Sequence, residues 1–310
     1  MNKSQVNYIL AVDRLKNFGK AAAVCFVTQS TLSAMIKKYE QEIGIQIFDR
    51  STKPTSTTAE GKIIIEQLTT ISREFQALEE VIQEVKGEMT GELTIGVIPT
   101  IAPFLLPLFL NDFTQQLPNI KFEITENPTE KIKEGILNRS MDIGIVAIPL
   151  SDKGIVEHYL YEEPFVILDA GEILAQKQYE IEDLDVSRLW LLEEGHCMRN
   201  QVQKICRLRK QRLINGNLVY KSGTISTLIK LVRLNNGITL LPFLATADLP
   251  ADLKKNIYPI SAPVPARKIG IVVHKNFVKK TVLAQLKQII LKKITPLVDT
   301  DLELESFSPF

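Results

Sequence analysis

Apolar residues recur at two spacings along the chain, and the change of spacing divides it into parts. Over residues 1–58 they fall three and four apart, which is typical of amphipathic helices. The same spacing continues without a break through 59–90. Beyond it, alternating or wholly apolar runs typical of strands take turns with helical stretches. The pattern predicts a helical head, a long linker helix and an α/β module at 91–298. We expect the acidic remainder, 299–310, to be a flexible tail.

The head has the layout of a winged helix-turn-helix. Apolar spacing predicts two short helices around Ile9 and Ala22, and the Thr28 side chain can cap a third helix. A small hairpin over 47–57 would form the wing. In this layout the start of the third helix enters the major groove of DNA. Any three-helix packing unit would show the same periodicity, so simple packing stays open as an alternative.

Polar residues of two kinds lie where such a helix would contact DNA. Hydroxyl and amide groups at the helix start suit base edges, namely Gln29, Ser30, Thr31 and Ser33. Cationic groups suit phosphates, namely Lys37, Lys38, Arg50 and Lys53. The first 62 residues carry nine Lys and Arg against five Asp and Glu, whereas the whole chain has a net charge of only +1. The basic head, and not the chain as a whole, favours a polyanionic partner.

The linker carries a heptad stripe, with apolar residues alternately four and three apart. Its members are Ile64, Leu68, Ile71, Phe75, Leu78, Ile82 and Val85. A stripe of this kind on an otherwise polar helix favours pairing with a second copy of the chain. The alternative is that the helix packs against its own chain.

The module after the linker alternates strands and helices. Strands are predicted at 93–97, 121–125, 142–148, 165–169, 189–192, 218–220, 238–241 and 269–274. The βαβαβ order favours parallel-rich sheets in two lobes, of the kind found in periplasmic binding proteins. Lobe I would comprise about 91–161 and 268–298, and lobe II about 162–267. Ligands bind in such folds at strand ends, where Thr100, Thr129 and the loop after Leu192 would meet.

Two of the three cysteines, Cys197 and Cys206, lie nine positions apart. His196 and Arg199 stand beside the first and a cationic run follows the second, and a nearby cation lowers a thiol pKa. A continuous helix would separate the pair by about 13 Å along its axis, whereas a disulfide needs Cα atoms within roughly 7 Å. A bridge would therefore require the segment to bend or unwind. Inert core cysteines are the commoner alternative, and that interpretation is preferred for Cys25.

Composition excludes several classes of protein. Three cysteines do not make a secretory disulfide framework. The first residues contain no apolar leader, and the chain has no apolar run of 18 residues. No further Cys or His lies at the usual metal-ligand spacing from Cys197. We expect a cytoplasmic protein with no membrane partner, no metal and no cofactor.

Motifs along the whole chain carry a family resemblance. In the head they are Ala21-Ala22, Thr28-Gln29-Ser30-Thr31-Leu32-Ser33, Ile36, Glu40, Gly44, Phe48, Arg50, Thr58 and Gly61. In the module they are Ile98-Pro99-Thr100, Leu105-Leu106-Pro107, Gly195-His196-Cys197-Met198-Arg199, Cys206 and Gly237-Ile238-Thr239-Leu240-Leu241-Pro242. The head resembles LysR-type transcriptional regulators. The module is similar to that of the peroxide-sensing members of that family.

The resemblance implies roles for the residues around the cysteines. Cys197 matches a peroxidatic cysteine that becomes a sulfenic acid, and Cys206 matches the resolving cysteine that forms a disulfide with it. Polar groups that position hydrogen peroxide or tune the thiolate are matched by Thr100, Thr129, His196, Arg199 and Asn200. Asn200 departs from the aspartate of the familiar sequences, and Ser30 replaces the usual proline in the head.

The resemblance also implies partners and a class of activity. The partners are double-stranded operator DNA, hydrogen peroxide, further copies of the chain in a homodimer that assembles to a homotetramer, and RNA polymerase. Such a protein regulates transcription and is not an enzyme. Two alternatives stay open. One is a LysR-type regulator of a small-molecule metabolite whose cysteines have no function. The other is a thiol peroxidase, for which a DNA-binding head would be surplus.

Overall fold

The structure is a computed structural model, and it describes residues 1–87, 89–171, 178–193, 197–206, 223–298 and 302–309. The chain divides into two compact units, Met1–Glu88 and Met89–Phe310. Within the described residues, none of the helices combines the length and apolar character that crossing a bilayer requires.

The first unit is a winged helix-turn-helix followed by a long helix. Its elements are α1 (Lys3–Leu15), α2 (Phe18–Val24), α3 (Gln29–Ile43), β1 (Phe48–Asp49), β2 (Ser56–Thr57) and α4 (Ala59–Lys86). Side-chain caps start each helix, because an Asn or Thr oxygen accepts from a free backbone N–H in the first turn. Thr28 caps α3 as predicted, and β1 pairs antiparallel with β2 to form the wing.

The heptad stripe on α4 is divided between two environments. Leu68 is only 2% exposed and packs in the core of the head, with Ile64, Ile71 and Phe75 partly buried against that core. Further along, Leu78 and Val85 are 58% and 82% exposed. The first part of the stripe is thus covered by its own chain, and only the last turns leave an apolar face uncovered within this unit.

Lobe I of the second unit is built on parallel strands. The elements up to the middle of the chain are β3 (Gly91–Val97), α5 (Ala102–Gln116), β4 (Ile120–Glu126), α6 (Thr129–Leu137), β5 (Ile143–Ile148) and β6 (Ile155–Asp169). β3 lies between β4 and β5 and pairs parallel with both. All six residues of β5 are buried, as its unbroken apolar sequence predicted.

The elements that follow complete both lobes. They are α7 (Cys197–Ile205), α8 (Ile225–Leu234), β7 (Ile238–Pro242), α9 (Ala251–Lys254), β8 (Ile257–Tyr258), β9 (Val264–His274), α10 (Lys280–Ile294) and β10 (Leu304–Ser306). Along the sheet the order is β4-β3-β5-β9-β6-β7. β9 enters lobe I antiparallel to β5, and β7 and β8 add antiparallel to β6 in lobe II.

Two long strands, β6 and β9, run through both lobes. They pair antiparallel from Ile155 opposite His274 to Pro164 opposite Ala266, with a register shift between Tyr159 and Tyr161. One apolar core lies in lobe I and a second in lobe II. The predicted α/β fold, with a winged head, a linker helix and a two-lobed module, is confirmed.

Some predicted elements differ in the structure. Residues 189–192 form no regular strand, because Leu189 makes a single bridge to Ile238 directly after a short 3-10 turn. The strand predicted at 218–220 lies outside the described residues. The tail, which we expected to be flexible, forms β10 in its described part and pairs parallel with β9. The alternation of Leu302 and Leu304 with Glu303 and Glu305 is the period-2 pattern of such a strand.

Candidate functional site

A single helix, α7, carries both cysteines of interest. Cys197 is its first residue, and the Cys206 backbone N–H donates to Val202 O at 3.0 Å, which continues the helical hydrogen bonding to the second cysteine. Both thiols are free. Helical rise separates them by about 13 Å along the axis, so the pair does not lie within disulfide distance in this state.

The sulfur of Cys197 lies where the two lobes meet. It is buried with the lobe I core, although the next turn of its helix packs in the core of lobe II. Burial raises the pKa of the Cys197 thiol above its ordinary value. The Arg267 guanidinium, the Thr129 hydroxyl and the backbone N–H groups at the start of α7 act in the opposite direction, because each stabilises a thiolate. The site therefore surrounds a desolvated sulfur with groups that favour its anion.

Arg267 holds this junction together from the middle of β9. Its side chain is fully buried, and its Nε and Nη2 atoms lie 2.9 and 2.8 Å from Glu163 Oε2 on β6. Nη1 donates to Thr100 Oγ1 at 2.9 Å and Nη2 to Thr100 O at 3.0 Å, at the end of β3. The other carboxylate oxygen of Glu163 accepts from Leu244 N at 3.0 Å. The guanidinium and the carboxylate thus both have further hydrogen-bond partners, which is the condition under which a buried ion pair persists.

The predicted residues around Cys197 divide into three groups. Thr100 and Thr129 are buried at the site, one bound to Arg267 and the other to the sulfur. Arg199 instead donates to Leu192 O at 2.7 Å, and Asn200 is directed at Pro309 O at 3.4 Å. Arg199 projects from the opposite side of α7 from Cys197, because each successive residue is rotated by about 100°. Asn200 is three positions from Cys197 and lies on a neighbouring part of the helix surface, where its amide contacts the C-terminal residues. His196 lies outside the described residues.

Sequence reasoning missed four residues of the site. Arg267 and Glu163 are charged residues within strands, and they form a buried ion pair. Gln201 and Tyr161 are buried as well, and Gln201 Oε1 and the Tyr161 hydroxyl find no hydrogen-bond partner among the described residues. Gln201 follows Cys197 by four positions and shares its helix face. Tyr161 precedes Glu163 by two and shares its strand face.

The electrostatics of Tyr161 connect it to the same cluster. Burial and the nearby Glu163 carboxylate raise the pKa of Tyr161, whereas Arg267 lowers it. Its hydroxyl is therefore protonated and available as a donor near the ion pair. A buried O–H without a partner destabilises a fold by about 1–3 kcal/mol.

The remaining cysteines have simpler surroundings. Cys206 packs against the lobe II core, and burial alone raises the pKa of its thiol to about 11. Of the cations that surround Cys206 in the sequence, Lys204 donates to Ser308 O at 3.3 Å, and Arg207 and Arg209 lie outside the described residues. Cys25 is half-buried at the end of α2, where burial likewise raises its pKa.

Most of the predicted DNA-contacting residues are exposed in the head. Gln29, Ser30 and Thr31 are exposed in the first turn of α3, and the exposed cations are Lys37, Lys38 and Lys53. Ser33 is half-buried, because its hydroxyl accepts from Arg50 Nη1 at 3.2 Å.

Arg50 has an internal role that the sequence did not predict. Its Nη2 donates to Glu40 Oε2 at 2.9 Å, and its guanidinium lies 5.0 Å from the Phe18 ring centroid. Glu40 in turn accepts from the backbone of Ile47 and Phe48. Arg50 thus joins the wing to α3, and its loss would perturb the head itself.

Family models match both units of the chain. A model described as the LysR substrate binding domain matches residues 86–294, and one described as the bacterial regulatory helix-turn-helix protein, lysR family, matches 4–62. This chain belongs to the LysR family. Within the described part of the chain, no three His, Cys, Asp or Glu residues cluster as ligands of a metal ion would.

Two curated LysR-type relatives and one solved structure are informative. The DNA-binding transcriptional dual regulator OxyR of Escherichia coli K12 is 29% identical over 277 residues, which are 88% of this chain and 89% of the relative. The HTH-type transcriptional regulator EstR of Acinetobacter baylyi is 32% identical over 242 residues, 78% of this chain and 79% of that protein. A full-length OxyR variant from Pseudomonas aeruginosa has a TM-score of 0.72 at 29% identity, covering 94% of this chain and 98% of that one.

Proposed function

We propose that this LysR-family protein is a DNA-binding transcription regulator that senses hydrogen peroxide through Cys197 and Cys206. The observation that carries the proposal is the placement of Cys197, a buried sulfur with Arg267 and Thr129 acting to favour its thiolate. Similarity to OxyR over most of the chain supports the same assignment. Other relatives named hydrogen peroxide-inducible genes activator, such as that of Haemophilus influenzae, are equally similar.

In the first step, the Cys197 thiolate attacks one oxygen of hydrogen peroxide. The S–O bond forms as the O–O bond breaks, and the departing hydroxide takes up a proton to become water. Sulfur is oxidised to a sulfenic acid and peroxide is reduced. Arg267 remains positively charged throughout, and its field stabilises both the thiolate and the departing hydroxide.

The buried residues around Cys197 and Arg267 include hydrogen-bonding groups that a small polar molecule would use. The hydroxyl of Tyr161 can donate and Gln201 Oε1 can accept, and neither has a partner among the described residues. Peroxide offers two O–H donors and two acceptor oxygens. The proposed roles of the predicted residues follow from their contacts: Thr129 would orient the thiolate, and Thr100 would hold Arg267 in place. We also assign His196, next to Cys197 in sequence, to this site.

In the second step, the Cys206 thiolate attacks the sulfenic sulfur of Cys197. The S–S bond forms, the S–O bond breaks, and the departing oxygen leaves as water after protonation. Because one continuous helix separates the two sulfurs, α7 must unwind before they can meet. That refolding is the conformational signal, and it would alter transcription of antioxidant genes in the cytoplasm.

The head would bind double-stranded operator DNA through the exposed start of α3. Gln29, Ser30, Thr31 and Ser33 would read bases, and Lys37, Lys38, Arg50 and Lys53 would contact phosphates, with the internal bonds of Arg50 limiting its reach. The exposed end of the α4 stripe, around Leu78 and Val85, favours a homodimer. We extend the proposal to a homotetramer of such dimers and to contact with RNA polymerase.

The test is oxidation of the reduced full-length protein with stoichiometric hydrogen peroxide, followed by peptide mass analysis and footprinting on operator DNA. We expect the native protein to lose two hydrogen atoms, to join the Cys197 and Cys206 peptides, and to change its footprint. Cys206→Ser should retain one added oxygen at Cys197 that dimedone labels. Cys197→Ser should do neither, and Cys25→Ser is the matched control that should behave as native.

Three outcomes would contradict the proposal, and two of them would favour its alternatives. A peroxide-dependent footprint in Cys197→Ser would remove Cys197 from the signal. A footprint that responds to a small metabolite and not to peroxide would favour a metabolite-responsive regulator of the LysR family. Peroxide consumption over many cycles with a thiol reductant, without any change on DNA, would indicate a thiol peroxidase.

A further inference from the structure

The C-terminal segment 302–309 lies against the helix that carries both cysteines. We call these residues the C-terminal strap. Its strand β10 pairs parallel with β9, placing Leu304 beside Val264 and Ser306 beside Ala266. Hydrogen bonds close both ends of the pairing: Val264 N donates to Glu303 O and Phe307 N donates to Ala266 O, each at 2.8 Å. The pairing therefore ends one residue before Arg267.

Beyond β10 the strap presents three consecutive backbone carbonyls to α7. Gln201 Nε2 donates to Phe307 O at 2.7 Å, and Lys204 Nζ donates to Ser308 O at 3.3 Å. Asn200 Nδ2 is directed at Pro309 O at 3.4 Å. The donors lie between Cys197 and Cys206, in the stretch that a disulfide would have to unwind. Phe307 also packs against the lobe II core, and Pro309 is buried.

The strap also fixes which way the Gln201 amide faces. A carbonyl oxygen only accepts, so Phe307 O requires the NH2 side of the amide. Gln201 Oε1 is then held on the other side, buried and without a partner among the described residues. Without the strap the amide would be free to turn over. The strap thus determines that an acceptor, and not a donor, is left unused at Gln201, a residue that shares a helix face with Cys197.

We propose that the C-terminal strap is a positioning element of the thiol switch, which holds α7 helical between its cysteines and orients the Gln201 amide. The proposal rests on the proposed peroxide-sensing function and concerns its regulation. The strap acts with opposite sign on the two chemical steps. It favours oxidation of Cys197 by peroxide, because it presents the Gln201 acceptor. It opposes condensation with Cys206, because α7 must break these contacts to unwind.

The test compares full-length protein with a chain lacking residues 302–310. Hydrogen exchange of the α7 amides in the reduced protein measures the hold on the helix independently of redox chemistry. We expect exchange to accelerate on the order of tenfold without the strap, the equivalent of about one net hydrogen bond. Condensation of the sulfenic acid with Cys206 should accelerate by a similar factor. Sulfenic acid formation, measured in a Cys206→Ser background, should slow a few-fold.

Two point variants test the same proposal without truncating the chain. Phe307→Asp removes the apolar anchor of the strap and should show the same three changes. Glu305→Ala alters an exposed side chain of β10 and is the matched control, which should show none. The proposed role of the strap is overturned if hydrogen exchange of α7 is unchanged in both the deletion and Phe307→Asp. It is also overturned if Glu305→Ala changes that exchange as much as they do. If peroxide oxidises Cys197 in none of these proteins, the proposed function fails, and the exchange data still decide whether the strap holds α7.

Discussion

The two ends of α7 give the same side chain two different environments. At the first residue, Cys197 is buried with lobe I, and Arg267, Thr129 and the helix N–H groups all act to lower the pKa that burial raises. Just past the last residue, Cys206 packs against lobe II, and burial raises the pKa of its thiol with no opposing charge among the described residues. Among the described residues, groups that stabilise an anion act on Cys197 and none is seen to act on Cys206, which fits the order of steps in the proposed mechanism. In that mechanism Cys206 meets Cys197 after α7 unwinds.

Removal of Arg267 should produce the largest effect on this asymmetry. Arg267→Met leaves the Glu163 carboxylate buried without its cation, which costs about 3–5 kcal/mol of unfolding free energy. Without the Arg267 charge the pKa of the Cys197 thiol should rise further, as burial raises that of Cys206. Its oxidation by peroxide should then slow by more than tenfold. Urea unfolding and stopped-flow oxidation measure the two effects.

Lys268→Met is the matched control for Arg267→Met, since Lys268 is the next residue and its side chain is half-exposed. It should change neither quantity appreciably. A folded Arg267→Met protein that still oxidised at the native rate would show that the two ends of α7 do not differ in the way described.

The reaction rates of the two thiols should rise with pH in the same manner but over different pH ranges. Only a thiolate reacts, so each rate rises about tenfold per pH unit below the pKa of its thiol. Because burial raises the pKa of Cys197 above its ordinary value, peroxide oxidation in Cys206→Ser should still be rising at pH 9. For Cys206, alkylation in Cys197→Ser should rise until about pH 11. A plateau below pH 8 for Cys197 would mean that Arg267 and Thr129 outweigh burial.

The smallest effect concerns Tyr161, and it has opposite signs on stability and rate. Tyr161→Phe removes a buried hydroxyl that lacks a partner, so the free energy of unfolding should rise by up to about 1 kcal/mol. If that hydroxyl donates to peroxide, oxidation of Cys197 should slow a few-fold. Alkylation of Cys206 should not change. A variant that is more stable and oxidises at the native rate would remove Tyr161 from the site.

Local patterns in the sequence predicted most of the fold. The alternation at Leu93, Ile95 and Val97 gave a strand, and the Thr28 cap gave the start of α3, because both depend on residues close together in the chain. The heptad stripe was predicted as one surface, yet Leu68 lies in the core of its own chain while Val85 is exposed. Periodicity identifies an apolar face and does not identify what covers it.

The site depended on contacts between residues far apart in sequence, and these could not be predicted. Arg267 acts on a cysteine 70 positions earlier, while Arg199, two positions away, is turned toward Leu192. Proximity in sequence therefore did not identify Arg267 as a cation that acts on Cys197. The strap was missed for the same reason, since Phe307 contacts Gln201 across more than a hundred residues. The charged pair Arg267-Lys268 within β9 does not by itself show which of its two members is buried.

The central position of β9 has a consequence for the order of events during synthesis. β9 lies between β5 and β6, so the buried edge of β5 has no partner until residues 268–273 have left the ribosome. That is about 120 residues after β5 itself, or roughly 6–24 s at the usual rates of bacterial translation. During this interval a wholly apolar strand edge is open to aggregation, and Cys197 is already made without Arg267. A nascent chain therefore contains the Cys197 thiol before it contains the Arg267 charge. We expect chaperones to bind the newly synthesised protein mainly at β5.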